Sequence, residues 1–159
     1  MQTASNVVDF SLEAPRARTR PASSVDAARD RQFAMMLRAF RETGGLARGD
    51  EVADALVQRG VGDLSQLARW IVSREVLSLD WKGEVWVPWF QFDLRTMALR
   101  EAAPRVTAEL VPAFDRWQQA LWFATPNVWL DERLPADVLA TDPAGVLSAA
   151  RADRFADAG

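Results

Sequence analysis

Catalysis needs side chains that move protons, attack carbon or phosphorus, or hold a metal, and this sequence offers few of them. It contains no cysteine, no histidine and no tyrosine. Imidazole bases, thiolate nucleophiles, disulfides and the usual zinc and iron ligand sets are therefore excluded. Lys82 is the only lysine, so Schiff-base chemistry would have one candidate. The carboxylate pairs Asp50-Glu51 and Asp131-Glu132 are adjacent in sequence, and adjacent helical residues point apart. They read as solvated charge and not as a catalytic pair. Gly44-Gly45 and Gly60/Gly62 lack the flanking pattern of a phosphate-binding loop. The expectation is a binding protein and not an enzyme, with no catalytic residues, no metal site and no cofactor.

Recognition chemistry is better supplied. Nearly all the positive charge is arginine, whose planar fork suits interfaces, and there are seven tryptophans. In the segment Leu64 to Arg74, the polar Ser65, Gln66, Arg69 and Ser73 lie off an apolar stripe. Arginine and glutamine are the side chains that read guanine and adenine edges. Ser65, Gln66, Arg69 and Arg74 are accordingly candidate DNA contacts. The charge count argues against them, since Arg48 to Lys82 holds five basic against six acidic residues. A DNA-binding unit normally carries a positive face. The run Trp81, Trp86, Trp89, Phe90, Phe92 could stack bases, but its interleaved charges are Lys82, Glu84 and Asp93. The basic groove of a single-strand site is missing, and the run reads as core.

The elements that would position these residues follow from periodicity. Phe33, Met36, Leu37 and Phe40 predict one face of a helix from Ser24 to Thr43, stopped by Gly44-Gly45. A second helix is expected over Gly49 to Arg59, with Val52, Ala55 and Leu56 inward. A third starts after Asp63, in capping-box spacing with Gln66, and carries Leu64, Leu67, Ala68, Ile71 and Val72. Val76 to Leu79 and Glu84 to Val87 read as strands around the turn Asp80 to Gly83, closed by Pro88. Together these predict a helix-turn-helix-like unit with a small β-ribbon. Asp93 is expected to cap a helix that Pro104 ends. Phe114, Trp117, Leu121 and Ala124 predict another buried stripe, broken at Thr125-Pro126-Asn127. Pro135 and Pro143 suit first helical turns, Asp142 is a good N-cap, and Val146, Leu147 and Ala150 face inward from the last helix.

The chain has 159 residues, 49% of them apolar, and a net charge of −3. That length fits one domain or two small units. The division expected is a disordered tail at 1–23, the helical unit with its ribbon at 24–92, and a helical module at 93–159. The tail carries Arg16, Arg18 and Arg20 between two prolines. No apolar run approaches the roughly 18 residues a membrane span needs, and Met1 to Phe10 lacks the pattern of a secretory signal. A cytoplasmic protein is expected.

Two blocks carry a resemblance. Val87-Pro88-Trp89-Phe90-Gln91-Phe92 resembles a hydrophobic-Pro-x-Phe-Gln-Phe signature. Leu121-Trp122-Phe123-Ala124-Thr125-Pro126-Asn127-Val128-Trp129-Leu130, followed by Arg133-Leu134-Pro135-Ala136-Asp137-Val138-Leu139, resembles a Pro-Asn, turn, Pro-x-Asp-x-Leu core. Together they resemble the toxin-binding domain of the Xre/MbcA/ParS family of antitoxins, over roughly Val76 to Ala152. The resemblance implies a mainly α fold in which the helix-turn-helix-like unit precedes a C-terminal toxin-binding-like domain. It implies a protein partner, a RES-type, NAD-consuming toxin encoded by a neighbouring gene, neutralised by direct contact. The usual glycines of the turn are Asp131-Glu132 here, and the end, Arg154 to Gly159, differs from the family's short hydrophobic tail. The block nominates Trp122, Asn127, Trp129, Arg133 and Asp137 as partner-binding residues. Pro126 and Pro135 fix the chain on both sides of the turn, and Asn127 can bond its own backbone to set it. A homo-oligomer and autoregulatory contact with operator DNA are expected beside this. The alternative is a transcriptional regulator or adaptor whose C-terminal domain serves dimerisation.

Overall fold

Ser23 opens the first helix. In this computed structural model, which describes residues 23–159, its hydroxyl accepts the Asp26 N–H at 3.1 Å while Asp26 accepts the Ser23 N–H. That capping box makes Ser23 part of the fold and not of the expected tail. Arg16, Arg18 and Arg20 lie outside the described residues. Helix α1 (Ser24–Ala39) buries Phe33 and Met36, with Phe40 just beyond it. Leu37, expected on that face, is exposed. It follows Met36 by about 100° around the axis, past the edge of the Phe33-Met36-Phe40 line. The helix also stops short of Thr43, because Arg41–Thr43 tightens into a 3-10 turn. Gly44 then takes φ 105°, and a Cβ there would stand 2.8 Å from the Trp89 Cβ, so only glycine fits.

A short strand that periodicity did not predict follows, β1 (Leu46–Arg48), and leads into α2 (Gly49–Gln58). Helix α3 (Leu64–Val72) is capped by Asp63, which accepts the Gln66 N–H at 2.9 Å. The hairpin is shifted from its expected position. Its strands are β2 (Leu79–Trp81) and β3 (Glu84–Pro88), joined by Lys82-Gly83 with φ of 51° and 77°. Those two positive φ values make a two-residue hairpin turn, so Asp80 and Trp81 join the ladder and Val76 to Ser78 do not. Strand β1 pairs along the other side of β3, giving an antiparallel sheet in the order β1-β3-β2.

No helix forms at Leu94. Asp93 turns its carboxylate onto the Arg95 N–H at 2.9 Å, and Met97 takes φ 58°. The Arg95 amide is also the main cause that holds the Asp93 pKa below its ordinary value. Pro104, expected to end a helix, lies in the first turn of α4 (Ala102–Leu110), where its missing N–H costs nothing. Helix α5 (Arg116–Phe123) carries a capping box between Asp115 and Gln118 and buries Trp117, Ala120 and Phe123. Phe114 and Leu121, expected inward, are half-buried. The short α6 (Pro135–Val138) and the long α7 (Pro143–Asp157) both begin on proline, and Asp142 caps α7 through the Gly145 N–H at 3.0 Å.

The protein is mainly helical with this one small sheet among the described residues. Its apolar side chains form two clusters. The larger joins α1 to α4, α5, α6 and α7; the smaller holds α2, α3, Val76, Val87, Phe92 and Met97. Phe90-Gln91-Phe92 bridges them. Phe90 enters the larger cluster and Phe92 the smaller. Gln91, 1% exposed, accepts the Leu77 N–H at 2.7 Å and donates to the Leu77 and Pro88 carbonyls at 3.0 and 3.1 Å. Arg116 adds a second link, donating to the Ile71 carbonyl at 2.7 Å and to Ser78 Oγ at 3.0 Å. The aromatic run packs inward, with Trp81 stacked on Phe33 at 3.9 Å between ring centroids. Among the described residues no helix is long and apolar enough to cross a membrane.

Candidate functional site

Three of the five residues nominated by the Pro-Asn block converge on one carboxylate. Trp122 comes from the end of α5. Asn127 and Trp129 come from the 3-10 turn Val128–Leu130 and its N-cap. The acceptor is Asp153 on α7. Trp122 Nε1 and Asn127 Nδ2 each donate to Asp153 Oδ2 at 2.7 Å, and Trp129 Nε1 donates to Oδ1 at 3.0 Å. The Asn127 side chain closes the arrangement by accepting the Trp129 backbone N–H at 2.9 Å. That is the local turn its residue type favours. Hydrogen bonds to an ionised acceptor are about twice as strong as neutral ones, so the cluster is well fixed.

Burial differs sharply within it. Asn127 is buried, Trp122 is half-buried against the larger core, and Trp129 is 62% exposed. Trp129 is therefore held at two N–H groups while its ring meets solvent, and its neighbour Val128 is exposed as well. Helix α7, which supplies Asp153, is itself tied to α4. Arg151 and Arg154 each reach Glu109 at 2.9 Å, one to each carboxylate oxygen.

Arg133 and Asp137 play other parts. Arg133 donates from Nε to the Leu130 carbonyl at 3.0 Å, and its own carbonyl accepts the Asn127 N–H at 3.0 Å. It closes the turn and points no hydrogen bond into the Asp153 cluster. Between Leu130 and Arg133, Asp131 and Glu132 take φ of 56° and 61°, the left-handed conformation that glycine adopts most easily. Asp137, on α6, has Glu42 as its electrostatic neighbour. Partial desolvation, and then Glu42, push its pKa above the ordinary 3.8.

Asp153 lies outside the Pro-Asn to Pro-x-Asp block, yet the sequence carries a signal for it. Val146, Ala149, Ala150 and Asp153 fall at i, i+3, i+4 and i+7, so a carboxylate continues the inward stripe of α7. An acid at such a position requires donors from elsewhere in the fold.

The DNA candidates lie together on and after α3. Ser65 and Arg69 are exposed, but Arg69 Nη2 donates to Gln66 Oε1 at 3.0 Å, so two base-reading groups pair with each other. Arg74 takes φ 63° just past the helix end. Beside them the surface is apolar, because Leu64 is 63% and Val72 80% exposed. Chemically, Asp153 has its oxygens committed to three N–H donors, and this arrangement presents an aromatic ring instead of a reactive group. Among the described residues no group of three acidic side chains is placed to hold a metal ion. Compared with protein-family models, with curated proteins and with solved structures, the chain matches none.

Proposed function

We propose that this chain is an antitoxin-like binding protein that neutralises a partner toxin by direct contact, using the surface around Trp129. One observation carries the reading: a largely exposed tryptophan is held by two hydrogen bonds, one on its backbone and one on its indole. Binding hot spots are enriched in tryptophan, and a ring already held in one orientation loses little freedom on association. The resemblance of the Pro-Asn to Pro-x-Asp block supports a RES-type, NAD-consuming toxin as that partner. On this reading the encounter takes place in the cytoplasm, with the product of a neighbouring gene. Nothing catalytic is asked of the chain in this role: it covers the partner's surface.

Co-expression with the product of the adjacent gene tests the reading. The expected result is that the neighbour is toxic alone, harmless with this chain, and recovered in complex with it. A neighbour without toxicity, or separate elution of the two proteins, removes the proposal.

A second reading, an HTH-type regulator, has one observation in its favour: the helix pair α2–α3 is followed by a β-hairpin. In such units the second helix enters the major groove. It requires binding to the chain's own promoter that weakens steeply with salt and is lost in Arg69→Ala. The apolar surface beside Arg69 speaks for a protein instead.

A further inference from the structure

The toxin-binding reading leaves the outward face of α3 unused. Leu64, Ala68 and Val72 recur every four residues, and all three are exposed. Ile71 stands half-buried beside them. The face forms one wall of a groove of about 560 Å³, whose other wall is the hairpin turn at Gly83 to Val85. Val85 adds exposed apolar surface there. Water gains nothing by contacting such a stripe, and a soluble chain normally covers it.

We propose that α3 is the contact helix of a symmetric homodimer, in which two copies pair their α3 helices antiparallel about a two-fold axis at Ala68. A two-fold interface must be complementary to itself, and this face is. Antiparallel pairing about residue 68 sets Leu64 opposite Val72 in both directions. The small Ala68 side chains at the axis let the two backbones come close.

The charges agree with the same register. Asp63 stands at one end of the helix and Arg74 at the other, and Arg74 has no salt bridge among the described residues. Pairing about residue 68 brings Asp63 of each copy level with Ser73-Arg74 of the other. It also sets helix N-termini beside C-termini, the favourable alignment of their dipoles. A parallel pair would place like charges together at both ends. Duplex DNA is the poorer occupant, because the cation that lines the groove, Arg48, is already paired with Asp50 and Glu84, so the groove's charge does not favour phosphate. The interface involves neither Trp129 nor Asp153, so it stands or falls apart from the toxin-binding reading.

Sedimentation equilibrium on the full chain between about 1 and 200 μM tests it. The wild type should show twice the monomer mass of 17.7 kDa at the upper end. Ala68→Arg should raise the dimer dissociation constant at least 100-fold, with unchanged far-UV circular dichroism because the position is exposed. Cysteine crosslinking reads the register, since the chain has no cysteine of its own. With oxidised glutathione, Ala68→Cys should give a disulfide-linked dimer. Leu64→Cys alone should not, and Leu64→Cys combined with Val72→Cys should. A monomer throughout the range, a dimer unaffected by Ala68→Arg, or efficient crosslinking through Leu64→Cys alone overturns the proposal. It is equally overturned if the wild type is monomeric and deleting residues 1–22 speeds amide exchange at Val72, for the occupant would then be the chain's own N-terminal segment. Duplex DNA bound at low salt by a wild type that is monomeric throughout the range would give the face to DNA and overturn it too.

Discussion

Gln91 and Asp153 solve one problem in two ways. Each is a single polar side chain that makes three hydrogen bonds and ties its own segment to a distant one, Gln91 to Leu77 and Asp153 to Trp122, Asn127 and Trp129. Gln91 is sealed between the two apolar clusters, and every partner it has is backbone. Asp153 sits at the margin of the larger cluster, and every partner it has is a side chain. Bonds to backbone fix the path of the chain and leave nothing to present. Bonds to indole and amide groups fix rings, and one of those rings faces solvent. A buried hub therefore reads as a device for stability, and the marginal hub as a device for display.

The largest expected effect tests the first half of that comparison. Gln91→Ala removes the only partner of the Leu77 N–H and leaves a void, and should cost about 3–4 kcal/mol in chemical denaturation. Asp153→Ala leaves three donors without their acceptor, two of them on exposed or half-buried indoles that water can reach. Its cost should be smaller, about 2–3 kcal/mol. The sharper readout is the Trp129 indole N–H, whose hydrogen exchange should quicken far more in Asp153→Ala than in Gln91→Ala. Equal exchange in both would make Asp153 a stability hub like the other.

The turn between the display elements allows a gain. Glu132 holds a left-handed conformation that costs a non-glycine residue about 1 kcal/mol or more. Glu132→Gly should stabilise the protein by about 0.5–1 kcal/mol in thermal unfolding, the added freedom of the unfolded chain offsetting the rest. Asp137→Asn should have the smallest effect, and it depends on pH. Because the folded pKa of Asp137 lies above 3.8, the native state holds its proton more tightly than the unfolded state. Its ionisation therefore destabilises the fold as pH rises from the ordinary carboxylate value through the raised one. Asp137→Asn should be slightly more stable than the wild type at pH 7 and indistinguishable from it below about pH 3. A gain that persists in acid would assign the effect to packing.

How much of this the sequence shows in advance depends on the range of the interaction. The capped α3, the proline-led α6 and α7 and the Asx turn at Asn127 are local, and residue type and spacing predict them. Strand β1 is three residues long and exists only through its pairing with β3, which begins 36 positions further on, so no local pattern announces it. Asp93 followed by Leu94 and Met97 mimics a capped helix, but its carboxylate closes a turn two residues on instead. Periodicity groups Leu64, Leu67, Ala68, Ile71 and Val72 alike and does not separate Leu67, which is buried, from Leu64 and Val72, which no described residue covers. The candidate site divides in the same manner. Trp122, Asn127 and Trp129 are recognisable as a block, whereas the carboxylate that gathers them lies 24 residues after the last of them.

The account rests on Trp129 as a preset binding anchor, and the measurement closest to it is the affinity of wild type and Trp129→Ala for the product of the adjacent gene. Calorimetric titration of the purified proteins should show binding weakened at least 30-fold by the substitution, about 2 kcal/mol. The stability of the variant should fall by less than about 1 kcal/mol, because the ring is exposed. An unchanged dissociation constant in a well-folded Trp129→Ala protein would contradict the central claim.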